Sequence, residues 1–112
     1  PKPAYCDLFI AAMGNNAQLK AAELCAALRE DGFKVNTDIC GRGLKAQMKY
    51  ADKTGSRFTM VLGDNECETG CAKLKNMQSG EEIEVALSDI SGSLLSAVHA
   101  AALDELADSI LK

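Results

Sequence analysis

A chain of 112 residues with 47% hydrophobic and 25% charged side chains has the size and composition of one globular domain. Such a chain buries roughly two-thirds of the surface its unfolded form exposes, so it holds a core without metal or disulfide staples. A net charge of −4 argues against indiscriminate nucleic-acid binding, and the lack of any run of about 18 apolar residues argues against a transmembrane helix and a membrane partner.

Pro1-Lys2-Pro3 has the character of neither a signal nor a transit peptide and reads as the end of a linker. Residues 1–4 are therefore assigned to a linker from a longer protein and residues 5–112 to one domain. Tyr5 to Met13 (YCDLFIAAM) is a nearly continuous apolar run, as expected of a strand covered on both faces. Gly14-Asn15-Asn16 ends it, and Asn15 or Asn16 is suited to cap the helix that follows. That helix is predicted to run to about Asp31, with Ala17, Ala21, Leu24, Cys25 and Leu28 on its buried face and Gly32 ending it in the left-handed conformation. Phe33 to Thr37 is a short second strand, parallel to the first through a right-handed crossover.

Asp38 to Gly43 (DICGRG) is a loop, and a second helix is predicted from Leu44 to about Thr54, ended by Gly55. Leu44, Met48 and Ala51 mark its buried face; Lys45, Lys49 and Lys53, spaced i, i+4, i+8, form one exposed stripe. Arg57 to Leu62 is the third strand, Gly63 to Gly70 an acidic turn, and Cys71 to Lys75 the fourth strand. After the turn signal of Met77 to Gly80, Glu82 to Leu87 alternates as a fifth strand. Leu94, Leu95, Val98, Ala102, Leu106 and Ile110 define a last helix, capped by Ser88 or Asp89. The order βαβαβββα belongs to the α/β class, and the short links among the last three strands require at least one antiparallel strand in a mixed sheet.

Catalytic chemistry finds little support. His99 is the single histidine and stands in an Ala-rich helix, where it reads as a surface or half-buried residue. No Cys or Ser has a recognisable activating partner, and DICGRG lacks the full phosphate-loop pattern. Five cysteines, at positions 6, 25, 40, 67 and 71, are odd in number. Cys6 and Cys25 fall in apolar stretches, and Cys67 and Cys71 have no second ligand pair at zinc spacing, so neither a metal site nor a disulfide framework is expected and the reducing cytosol is the expected compartment. No catalytic residue is assigned.

The concentrated signal is the segment Gly41 to Gly63. Between Arg42 and Arg57 five basic residues face Asp52 alone, giving +4 in that segment and −8 in the remainder. A surface helix made soluble by its lysines explains this, and so does an anion-facing surface. In the second reading Gly41 and Gly43 let backbone N–H groups approach a ligand, and the positive end of the helix dipole points the same way. Arg42 makes a bidentate contact, the lysines track a nucleic-acid backbone, and Tyr50 either stacks on a base or packs. The loop follows a parallel strand, where open α/β sheets place ligands.

The run GRGLKAQMKYADKTGSRF resembles the signature segment of the C-terminal anticodon-binding domain of bacterial histidyl-tRNA synthetases. LREDGFKVNTD upstream and VLGDNECETGCAKLKNMQSGEEIEV downstream are similar to the same family, so the resemblance covers about Tyr5 to Leu87. Gly43 departs from it, standing where a Ser is expected. The resemblance implies a three-layer α/β/α fold with a five-stranded mixed sheet, order 2-1-3-4-5, strand 4 antiparallel. It implies binding to the anticodon stem-loop of tRNA(His), and not to DNA, beside a catalytic core that is homodimeric, cytoplasmic and uses ATP and Mg²⁺ to join histidine to its tRNA. The family's adenylate-forming motifs are absent from this sequence, so no cofactor is assigned to the chain. Arg42, Lys45, Gln47 and Lys49 are the expected tRNA-binding residues, with Gln47 facing outward as a directional donor beside Arg42. The alternative is a stand-alone accessory module of the same fold, acting through protein–protein contacts.

Overall fold

In the computed structural model, residues 6–37, 43–77 and 79–111 are described, the side chains of 44 and 104–111 excepted. The element order is β1 (Cys6–Ala12), α1 (Asn15–Glu30), β2 (Val35–Thr37), α2 (Leu44–Lys53), β3 (Ser56–Leu62), α3 (Asp64–Thr69), β4 (Cys71–Asn76), β5 (Glu82–Ala86), a single 3₁₀ turn (Leu87–Asp89) and α4 (Ile90–Leu111). The assigned linker, residues 1–4, lies outside the described residues.

Strand β1 is buried at Cys6 and from Leu8 to Ala12. A strand apolar on both faces must be covered on both, and the connections provide this. β1 pairs in parallel with β2 on one side and with β3 on the other. The first right-handed crossover runs from β1 to β2 and the second from β2 back past β1 to β3, so they run in opposite directions and place α1 and α2 on opposite faces. The sheet order is β2-β1-β3-β4-β5, with β4 antiparallel to both neighbours. The fold is thus the three-layer α/β/α arrangement with a mixed sheet that the resemblance implied.

The two faces are filled unequally. Leu8, Ile10, Ala12, Phe58, Met60, Leu62, Ala72, Leu74 and Val85 point to the α1 side, where they meet Leu24, Leu28 and the start of α4 at Ile90 and Leu94. The other face holds a small cluster, Phe9, Ala11 and Ala51, with Met48 and Val61 against it. The large core therefore belongs to α1 and α4, and α2 rests on a narrow apolar footing.

Helix α1 ends as its sequence predicts. Gly32 has φ 97°, its N–H donates to the Arg29 carbonyl, and the Phe33 N–H reaches back to the Leu28 carbonyl. This is the paired-bond glycine termination that closes orphan carbonyls, with Phe33 packed on the core beside Leu28. Arg29 then ties the next strand, its Nε donating to the Val35 carbonyl at 2.9 Å.

Several expectations are corrected. Neither Asn15 nor Asn16 caps α1. The chain turns out of β1 through Gly14 at φ 101°, so the helix starts one residue earlier, with no side-chain cap. The second strand is three residues, Val35–Thr37, instead of five. The acidic turn is a short helix, α3, because Asp64 and Glu66 lie in its first turn, where carboxylates favour the helix N-terminus, and Gly70 at φ 73° closes it. A 3₁₀ turn separates β5 from α4. On α4 the expected apolar stripe is buried only near its start: Leu94 is fully buried, whereas Leu95 is 47% exposed. The side chains of Leu106 and Ile110 lie outside the described residues.

Leu28 is fully buried and Leu19, on the same helix, is 68% exposed. Leu28→Ala is expected to cost about 3 kcal/mol and Leu19→Ala less than about 0.5 kcal/mol, read as shifts in the urea unfolding midpoint. Burial pushes the Cys25 thiol above its ordinary value of 9.0, with Arg29 opposing and Cys6 adding to the shift. The folded chain then keeps a proton that the unfolded chain has lost, so this contribution is complete below the ordinary value and declines as pH rises above it. Under reducing conditions the stability advantage of the parent chain over Cys25→Ala should shrink between pH 8 and pH 10. A constant difference would show that the thiol does not titrate with unfolding.

Candidate nucleic-acid interface

Helix α2 carries the basic segment. At ten residues it is about 15 Å long. Its buried positions are Gln47 and Ala51, with Met48 half-buried, and Lys45, Lys49 and Lys53 stand exposed on the other side. Among the described residues these three lysines form no ion pair; the ion pair at 3.8 Å between Lys20 and Glu23 lies on α1. Asp52 is the one acid on the helix. The lysine stripe is therefore where the sequence put it.

Two other cations on the same side of the sheet stand opposite carboxylates. Ala72 and Leu74 point into the α1-side core, so Lys73 and Lys75 alternate to the α2 side. In the β4–β5 register Lys73 stands opposite Glu84 and Lys75 opposite Glu82. Directly opposed charges of opposite sign on neighbouring strands attract and largely cancel at a distance. Arg57 of β3 joins the lysines of α2 on this face, since Phe58 beside it points into the α1-side core.

The first turn of α2 has Gly43 as its N-cap, no side-chain cap and no acidic residue. Its N–H groups and the positive end of its dipole thus carry no built-in carboxylate. Because α2 follows the parallel strand β2, this end lies at the C-terminal edge of the sheet, beside the point where the chain order reverses around β1. Arg42 and the rest of the loop from Asp38 lie outside the described residues, as does the side chain of Leu44.

Gln47 departs from expectation. It is fully buried, and its side chain points at β1: the Ala12 N–H donates to Gln47 Oε1 at 3.1 Å, and Gln47 Nε2 donates to the Ala12 carbonyl at 3.2 Å. A second contact runs from Nε2 to Met13 Sδ at 3.6 Å. The outward-facing donor is replaced by an inward-facing strut. The sequence carried a signal for this, since Leu44, Gln47, Met48 and Ala51 stand at i, i+3, i+4 and i+7, one stripe of a helix. Tyr50 is 39% exposed, and its ring tilts against Phe9 with centroids 5.7 Å apart. It is packed along one side and open along the other.

A family profile described as the anticodon binding domain matches residues 7–96. This chain belongs to the anticodon-binding domain family. Over 94 residues the domain is 45% identical to the histidine–tRNA ligase of Clostridium kluyveri, a match covering 84% of this chain and 23% of that protein. Over all 112 residues it is 40% identical to the Clostridium novyi ligase, covering 24% of that protein. The solved histidyl-tRNA synthetase of Staphylococcus aureus superposes with a TM-score of 0.77 and 39% identity, covering 80% of this chain and 26% of that one. The synthetase from Nostoc gives 0.76 and 31%, covering 87% and 23%. The chain spans about a quarter of the length of these relatives and corresponds to their anticodon-binding domain, without a catalytic core.

The tilted Phe9–Tyr50 pair is one of the few contacts seating α2. Tyr50→Leu keeps apolar bulk but loses the ring interaction, and is expected to cost about 1 kcal/mol, measurable as a lowered urea midpoint. An unchanged midpoint would show that the ring pair contributes nothing to holding the helix.

Proposed function

We propose that this domain binds the anticodon stem-loop of tRNA(His) on behalf of a histidyl-tRNA synthetase, with Lys45 and Lys49 of α2, and Arg42 before it, facing the RNA. The observation that carries this reading is the unpaired lysine stripe on an otherwise acidic chain whose relatives are histidine–tRNA ligases. The lysines supply non-directional attraction to phosphates. Arg42, with its planar fork, supplies the directional contact to a phosphate or a base edge. Gln47 is not placed in this contact set.

In this reading histidine, ATP and Mg²⁺ belong to the catalytic part of a cytoplasmic, homodimeric parent enzyme. Among the described residues no three His, Cys, Asp or Glu groups stand together to hold a metal ion. No helix among the described residues is long and apolar enough to cross a membrane.

Binding that rests on phosphate neutralisation has a definite salt signature. Each phosphate contact contributes roughly 0.7–0.9 to the slope of log Kobs against log salt. Replacing both Lys45 and Lys49 with Ala should weaken tRNA(His) binding and reduce that slope by roughly 1–2, measured by filter binding or fluorescence anisotropy from low to moderate salt. A slope equal to that of the parent chain would remove the two lysines from the interface.

A further inference from the structure

Gln47 stands out from its surroundings. α2 is short, basic and solvent-facing, yet this one polar side chain is fully buried and spends its amide on the main chain of another element.

The reason lies in how β1 ends. The Met13 N–H donates to the Leu62 carbonyl of β3. Main-chain groups of a parallel strand alternate between the two neighbours, so the N–H and carbonyl of Ala12 face the β2 side. Among the described residues the β1–β2 register runs to Ile10 opposite Thr37, and the Thr37 hydroxyl donates to the Ile10 carbonyl at 2.8 Å. Further along β1, the donor and acceptor of Ala12 are met by a side chain of α2. A primary amide offers one acceptor and one donor at the right separation, and Gln47 supplies both. Leaving two buried main-chain groups unpaired would cost more than the bonds themselves contribute. That makes the Gln47–Ala12 pair a strong constraint on where α2 sits.

Among the described side chains, the apolar seating of α2 lies away from its N-terminal turn. Ala51, Phe9, Ala11, Met48 and Val61 hold its middle and C-terminal half, and the Thr54 and Gly55 N–H groups close its end onto Tyr50 and Asp52. At the other end, the Gln47 N–H takes the Gly43 carbonyl as the first bond of the helix. Gln47 thus joins the first helical turn to the C-terminal edge of β1, and Lys45 lies inside that turn.

We infer that Gln47 is a positioning residue for RNA binding: its amide pair with Ala12 holds the first turn of α2, and with it Lys45, at the C-terminal edge of β1. This rests on the anticodon reading above for its consequence and on the hydrogen bonds alone for its mechanism. The role is indirect, because a side chain with no exposed surface does not touch RNA.

The test uses the 112-residue chain, Gln47→Met, Lys45→Ala and the double variant, with Leu24→Ala as a core variant that weakens the fold elsewhere. Amide hydrogen exchange is read for Gln47 to Tyr50 and for β3. Binding is read with a synthetic RNA hairpin carrying the tRNA(His) anticodon stem-loop. Gln47→Met should speed exchange in α2 by roughly 10-fold or more relative to β3, which Leu24→Ala does not do. It should also lower hairpin affinity by roughly fivefold, and Lys45→Ala should then cost less than it does in the parent chain. Exchange that rises evenly across the fold, or losses that simply add, would overturn the inference. If the parent chain fails to bind the hairpin, the anticodon reading falls, and the exchange measurement still decides whether Gln47 sets the helix.

Discussion

Strand β1 is the constraint on which the rest of this fold depends. It is buried on both faces along nearly its whole length, and it pairs in parallel with a neighbour on each side. Parallel neighbours require crossovers, crossovers of fixed hand place one helix on each face, and the reversal of chain order around β1 opens the end of the sheet where those helices begin. The antiparallel β3-β4-β5 portion then extends the sheet to one side and gives α4 a surface on which to start. Each later feature is a consequence of the need to cover one seven-residue apolar strand from above and below.

The covering is unequal among the described side chains. On the α1 side, large apolar side chains from five strands and two helices interlock, and the Ser91 hydroxyl donates to Asp31 at 2.6 Å to tie α4 to the end of α1. On the α2 side three buried residues form the whole cluster. A helix with so small an apolar face can present nearly all its remaining surface to solvent, which is how three lysines find room on ten residues. The Gln47 amide adds a polar anchor to that apolar contact.

Much of this was legible in the amino-acid order. The apolar run of β1, the 3.6-residue recurrence in α1, the glycine that ends it and the lysine spacing on α2 each reflect a local periodicity that burial then confirms. The mixed topology followed from link lengths, and the strand order from family resemblance. What escaped had other causes. Helix α3 spans six residues, too few for a period to show, and its acidic content reads equally well as a turn. Gln47 occupied an inward helical position, but its polarity suggested solvent, and the contact with the Ala12 main chain that reverses this is a tertiary fact. Leu95 belongs to the apolar pattern of α4 yet is half-exposed, because the face of that helix that meets the core runs through Leu94, Ala97, Val98 and Ala101.

The pairing of Lys73 with Glu84 and Lys75 with Glu82 across β4 and β5 has an electrical consequence. By offsetting the cations on that part of the sheet it leaves the lysines of α2 as a local concentration of positive charge on a body of net charge −4. Such an object has a large dipole moment. Far from a polyanion its net charge opposes approach; within a Debye length, about 8 Å at physiological ionic strength, the local charge dominates and exerts a torque. A charge distribution of this kind orients any polyanion that approaches before a hydrogen bond forms.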